Sequence, residues 1–238
     1  MMKFSQLSAM PLMLGSLANA FTYERLNKND TLLLIVDMQE GLFSIARDYD
    51  HAVYRNAMYA HAALGKAFDL PVVMTSSSQS GPNGPLPDEF LEWYPNAPLI
   101  QRQGEVDAWD NPQFREAVIA ANKSQILLAG ITTDVCTTFL ALSLREAGYT
   151  VFANHEASGT ASVDIRENAN ARMRAAGVHI LSYFAILCEL MRDWRNVPGA
   201  QQLFPVLDQY YPAYGMVARA HRAAVNNGTV LPGEDILA

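Results

Sequence analysis

The sequence predicts a three-layer α/β/α protein with a mainly parallel, doubly wound sheet. Short apolar runs alternate along the chain with stretches of helical periodicity. Those runs are apolar almost throughout rather than every second residue, as strands covered on both faces are. With 238 residues, of which 50% are hydrophobic and 17% charged, one domain can bury a substantial core.

The elements follow in order. "TLLLIVD" (31–37) reads as the first strand, and "HAVYRNAMYAHAALGKAFDL" (51–70) carries helix periodicity. "PVVMTSS" (71–77) is the next strand. A Gly/Pro-rich loop, "SQSGPNGPLPDEF" (78–90), leads to "PLIQRQ" (98–103) and to a helix opened by Asn111 with Pro112 at its first position. "SQILLAG" (124–130) reads as a fully buried strand, and "CTTFLALSLREAG" (136–148) as a helix that stops at Gly148, with Thr133 as its N-cap. After it come "TVFANHEAS" (150–158), a helix from about Asp164 to Ala176, "VHILSYF" (178–184) and a last helix through "CELMRDW" (188–194). Residues 195–238, with "YYPAY" and "NNGT", lack a strong period and read as a peripheral tail that wraps the body or a neighbouring subunit.

Charge and composition narrow the function. A net charge of −7 without a basic cluster excludes a nucleic-acid or anionic-membrane surface. The five histidines, His51, His61, His155, His179 and His221, form no H-x-x-H or H-x-x-x-H pair, so neither a protein metal site nor a cofactor is expected. Residues 1–20, "MMKFSQLSAMPLMLGSLANA", offer one lysine, an apolar middle and Ala18-Asn19-Ala20 at the end. They read as a secretory signal peptide cleaved before Phe21, too short in its apolar part to span a membrane. The expected location is secreted or periplasmic; the alternative is an amphipathic or disordered extension on a cytoplasmic protein. The domain then covers 21–213, with 214–238 as tail. N-x-[ST] tripeptides stand at Asn29, Asn122 and Asn227.

Two cysteines make no disulfide framework. Cys188 lies mid-helix among apolar residues, a core position. Cys136 follows a buried strand and opens a helix, where unpaired backbone N–H groups and the helix dipole favour a thiolate. The same N–H groups can hold a developing oxyanion. The competing reading is a small apolar side chain in the core. Ligands in an open parallel sheet bind outside the carboxyl ends of its strands. Asp37, which ends the first strand, and Cys136 therefore face one crevice; Asp37 is either a helix N-cap or an active-site base.

"LLIVDMQEGLF", "GPNGPL", "QRQGEVDAWDN", "AGITTDVC", "EASGT" and "CELMRDWRN" together resemble the isochorismatase-like cysteine hydrolase superfamily, and most its YcaC-related branch, from about residue 24 to 213. The resemblance implies a Rossmann-like doubly wound fold and a catalytic triad of Asp37, Arg102 and Cys136. It also implies a non-proline cis peptide at Ile131–Thr132, with the N–H groups of Thr132 and Cys136 as oxyanion hole. Gln39 and Trp109 are candidates for substrate binding, each with a plain alternative in capping or packing. The metal-binding D-x-H-x-x-H pattern of nicotinamidases is absent, the corresponding stretch being "MTSSSQSGPNG". Arg102 replaces the commoner lysine; it stays charged and cannot shuttle a proton, which leaves proton transfer to Asp37. The implied reaction is hydrolysis of a small carboxamide through a thioester, by a homo-oligomer acting on a small-molecule substrate. Isochorismate-type vinyl-ether hydrolysis, or a secreted binding protein with a vestigial site, are the alternatives.

Overall fold

The computed structural model describes residues 22–231. Six strands, β1 (Thr31–Val36), β2 (Val72–Ser77), β3 (Leu99–Arg102), β4 (Gln125–Gly130), β5 (Thr150–Asn154) and β6 (His179–Leu181), form one sheet in the order β3-β2-β1-β4-β5-β6. All neighbouring strands are parallel. The expected doubly wound arrangement is therefore present, and its strand order reverses between β1 and β4.

Among the described residues there are eight α-helices: α1 (His51–Phe68), α2 (Asp88–Trp93), α3 (Pro112–Ala120), α4 (Thr138–Glu146), α5 (Val163–Ala175), α6 (Tyr183–Met191), α7 (Ala200–Tyr210) and α8 (Pro212–Asn226). The alternation of side chains along a strand sends Leu33, Ile35, Met74, Leu127 and Phe152 into one core, with residues of α1, α6 and α7. It sends Leu32, Leu34, Val36, Ile126 and Leu128 into the other, with residues of α3, α4 and α5. Every residue of β1 is buried, which is why that strand reads as an unbroken apolar run.

Local signals place the helix ends. The Asp50 carboxylate accepts from the N–H groups of Ala52 and Val53 and starts α1; Asn111 accepts from Phe114 N–H, with Pro112 at the first position of α3, as expected; Ser162 accepts from Ile165 N–H at α5. Two expectations are corrected. The strand read over 178–184 is only His179–Leu181, and the helix after it starts at Tyr183 and stops at Met191, where Arg192 takes a positive φ of 70°. Residues 200–226, expected as a tail without period, form α7 and α8. Leu203, Phe204, Leu207 and Tyr210 of α7 are buried in the first core, and Gly215 and Ala218 of α8 are buried too. The prolines and tyrosines of "YYPAY" mask the pattern because they mark the joint between the helices, Pro212 being the first residue of α8. The proposed signal peptide, residues 1–20, lies outside the described residues. Among those described, no helix is long and apolar enough to cross a membrane.

Candidate active site

The site lies where β1 and β4 end side by side. Val36 and Gly130 are register partners, and a Cβ on Gly130 would sit 2.2 Å from the Val36 carbonyl oxygen. Glycine is thus the residue that lets the two strand ends approach this closely. Asp37 continues β1 with φ 50°, a conformation aspartate tolerates better than most residues. Its N–H donates to Thr75 O at 3.0 Å, so it is not a helix N-cap. Its side chain is fully buried and turned toward β3.

Arg102, at the end of β3, is as buried as Asp37: both side chains are 0% exposed and paired as an ion pair. The guanidinium is fixed from three other sides. Nε donates to Thr75 Oγ1 at 2.9 Å, and Nη1 donates to the carbonyls of Glu105 and, at 3.2 Å, Val106. A surface arginine after an edge strand, the plain alternative for this position, is ruled out. Thr75, whose hydroxyl also donates to Ile100 O at 3.0 Å, was not marked by its position in a strand-like run.

Cys136 comes from the β4 side, on a turn that differs from the expected one. Thr132, with extended backbone (φ −96°, ψ 157°), precedes a π turn over Thr133–Thr137, and α4 begins only at Thr138. Thr137 N–H reaches back to Thr132 O at 3.1 Å. Thr133 is accordingly not the N-cap. Its N–H is spent on Gly159 O at 3.0 Å, and its hydroxyl is buried without a hydrogen-bond partner. Single π turns are recurrent at functional sites. The Ile131–Thr132 peptide is cis, as the resemblance implied.

Cys136 is half-buried and is a free thiol; among the three it alone keeps access to solvent. Burial pushes the thiol up to about 12, the negative charge of Asp37 adds to this, and Arg102 and a backbone hydrogen bond from Thr132 oppose it. The expectation of a resting thiolate at a helix terminus is thereby corrected: burial beside a carboxylate outweighs the dipole. Burial also raises the Asp37 carboxyl above its ordinary range, against the pull of Arg102 and of Cys136. Oδ2 of Asp37 takes Arg102, and the carboxyl also shares a hydrogen bond with the Cys136 thiol. One carboxylate oxygen is therefore committed to the guanidinium, and the carboxyl faces a protonated thiol.

The other two candidates have partners of their own. Gln39 is buried, and its amide is used on backbone: Nε2 donates to Ser77 O at 3.0 Å and Gly84 O at 2.5 Å, and Oε1 accepts from Ser77 N–H at 2.8 Å. It clamps the end of β2 to the Gly/Pro-rich loop. Trp109 packs edge-on against Tyr149, centroids 6.0 Å apart. Cys188 is half-buried against the first core.

A parallel doubly wound sheet with a buried Asp–Arg pair facing a cysteine at its switch point defines the class. The chain belongs to the isochorismatase family: the isochorismatase domain model matches residues 31–183. Within it the chain falls in the YcaC-related branch. It is 44% identical over 183 residues to the probable hydrolase YcaC of Escherichia coli strain K12, covering 76% of this chain and 88% of that one. The solved YcaC of Pseudomonas aeruginosa, with hexane-2,5-diol and covalent acrylamide, superposes with a TM-score of 0.82 at 43% identity, over 84% of this chain and 98% of that one. The E. coli YcaC gene product, an octameric hydrolase of unknown specificity, gives 0.82 at 40% identity, over 86% and 99%. The class is thus that of a hydrolase.

Proposed function

We propose that this hydrolase cleaves a small carboxamide through a thioester on Cys136, with Asp37 as proton carrier and Arg102 as the fixed charge that orients it. The observation that carries the reading is a buried, arginine-held Asp37 hydrogen-bonded to the protonated thiol of a half-buried Cys136. Asp37 takes the thiol proton as sulfur attacks the carbonyl carbon, and the N–H groups of Thr132 and Cys136 receive the oxyanion. As the tetrahedral intermediate collapses, Asp37 passes its proton to the departing nitrogen. Water, deprotonated by Asp37, then cleaves the thioester. Arg102 transfers no proton. Gln39 shapes the site through the β2 end and the loop it clamps, and Trp109 contributes to the wall of the substrate pocket.

The covalent acrylamide of the P. aeruginosa relative supports a reactive nucleophile in this branch, since acrylamide is both an acceptor for thiols and a small carboxamide. The octamer of the E. coli relative supports a homo-oligomer here. We also propose export after removal of residues 1–20. The test is turnover of a panel of short aliphatic and aromatic carboxamides, read as ammonia release. Wild type should release ammonia from at least one member and Cys136→Ala from none, with an unchanged circular dichroism spectrum. Equal turnover by Cys136→Ala would overturn the triad.

A further inference from the structure

Thr160 is 1% exposed; its backbone binds the loop at Arg47 and Asp48, and its hydroxyl binds the turn that carries Cys136. Its N–H donates to Asp48 Oδ1 at 2.9 Å, and its carbonyl accepts from the N–H groups of Arg47 at 2.8 Å and Asp48 at 3.2 Å. Its hydroxyl donates to Asp134 Oδ1 at 2.7 Å. Asp48 is itself held by Arg166, whose Nη1 donates to its carbonyl at 3.1 Å and whose guanidinium lies 4.3 Å from the Tyr49 ring centre. Asp134 stands two residues before Cys136 in the π turn. That turn has no side-chain cap of its own, and the hydroxyls of Thr133 and Thr137 are buried without hydrogen-bond partners. It is held from outside, by Gly159 O on Thr133 N–H and by Thr160 on Asp134.

We propose that Thr160 is a positioning residue for the nucleophile: its hydroxyl bond to Asp134 fixes the π turn so that the Cys136 sulfur stays against the Asp37 carboxyl. The proposal rests on Cys136 being the nucleophile. Thr160 touches neither substrate nor sulfur. A sulfur displaced from Asp37 by about 1 Å loses its base, and misplacements of that size cost on the order of 100-fold in rate.

The experiment uses acrylamide as probe on the full chain. Its addition to Cys136 is followed by peptide mass spectrometry from pH 6 to 9, with Cys188 as internal reference. In Thr160→Val the rate at pH 6 should fall at least about 10-fold and the rate at pH 9 much less, because only the base-assisted path is lost. Asp134→Ala should match it, the double variant should be no slower than either single one, and Thr160→Ser should return to within about twofold of wild type. If Thr160→Val does not fold, Asp134→Ala removes the same bond and is read the same way. Rates in Thr160→Val or Asp134→Ala within twofold of wild type across the range, or losses that multiply in the double variant, would overturn the proposal. Those results leave the ammonia assay on Cys136→Ala untouched, so a failure of the positioning role and a failure of the nucleophile reading are told apart.

Discussion

Burial and the neighbouring carboxylate push the Cys136 thiol up to about 12, so the resting sulfur is protonated and, on the proposed mechanism, reacts through Asp37 rather than as a standing thiolate. Arg102 then matters in two ways. It is the buried counter-ion of Asp37, and removing one member of such a pair leaves an uncompensated charge at a cost of about 3–5 kcal/mol. It also ties down the loop after β3 through Glu105 and Val106. Arg102→Ala should therefore lower Tm and activity together. Sequence alone suggests that Arg102→Lys keeps substantial activity because a charge remains. The structure refines this: lysine can face Asp37 but leaves acceptors at Thr75, Glu105 and Val106 without their donors. Arg102→Lys should retain turnover while losing thermal stability, checked by calorimetry beside the amidase assay; an unchanged Tm would contradict the anchoring role. His61 offers a test of a different kind. It is fully buried, and Nε2 lies 3.1 Å from Leu34 O. Burial lowers its pKa from 6.5 to about 4. As pH falls below 6.5 the unfolded chain takes up this proton first, so stability declines from there and the loss saturates below about pH 4, at about 3 kcal/mol. His61→Gln, which does not titrate, should flatten urea-unfolding free energies over that window. An equally steep decline in the variant would assign the loss to other groups.

At the scale of elements, the strands were legible because burial on both faces writes them as apolar runs, and the start of α3 was visible in Asn111 and Pro112, whereas the caps at Asp50 and Ser162 emerged only from the structure. The turn that carries Cys136 was legible only in part. Cys136 after β4 could be read from the strand, the glycine and the motif, but Thr133 looked like an N-cap because its partner, Gly159 O, lies 26 residues away in sequence and draws its N–H off the helix. Arg102 carried no local signal at all. A four-residue edge strand, "LIQR", says nothing about an acid 65 residues earlier, and only the likeness to a family marked it. Gly130 was legible as a strand terminator, whereas its reason, the Val36 carbonyl 2.2 Å from where a Cβ would stand, needs the sheet. Gly130→Ala should force β1 and β4 apart at the site, costing about 2–3 kcal/mol and most of the activity. Wild-type Tm and turnover in this variant would show that the strand ends yield more easily than the contact implies.

For the whole molecule, the order β3-β2-β1-β4-β5-β6 puts Asp37 and Cys136 on either side of the switch point, where open α/β sheets bind ligands, while Arg102 reaches in from the edge strand. The two C-terminal helices were missed because neither needs a long period once α7 has a core to pack on; residues 203, 204 and 207 suffice. α8 crosses residue 213, the expected end of the domain, and leaves Met216 and Val217 exposed at 69% and 55%. A homo-oligomer is the expected solution state, and light scattering should return a mass several times the 26.2 kDa of one chain; a monomer would remove that proposal. If residues 1–20 are cleaved on export, exported protein should begin at Phe21 by intact mass.

The central claim is that Asp37 activates a buried, protonated Cys136. Its most direct measurement is the rate of iodoacetamide alkylation at Cys136 and Cys188, resolved by peptide mass spectrometry at pH 6, in wild type and Asp37→Asn. Burial raises both thiols, and Cys136 has the added repulsion of a carboxylate, so passive thiols would make Cys136 the slower of the two. With Asp37 as base, Cys136 should instead be alkylated at least about 10-fold faster than Cys188, and that advantage should vanish in Asp37→Asn. A wild-type Cys136 no faster than Cys188, or an advantage that survives Asp37→Asn, would contradict it.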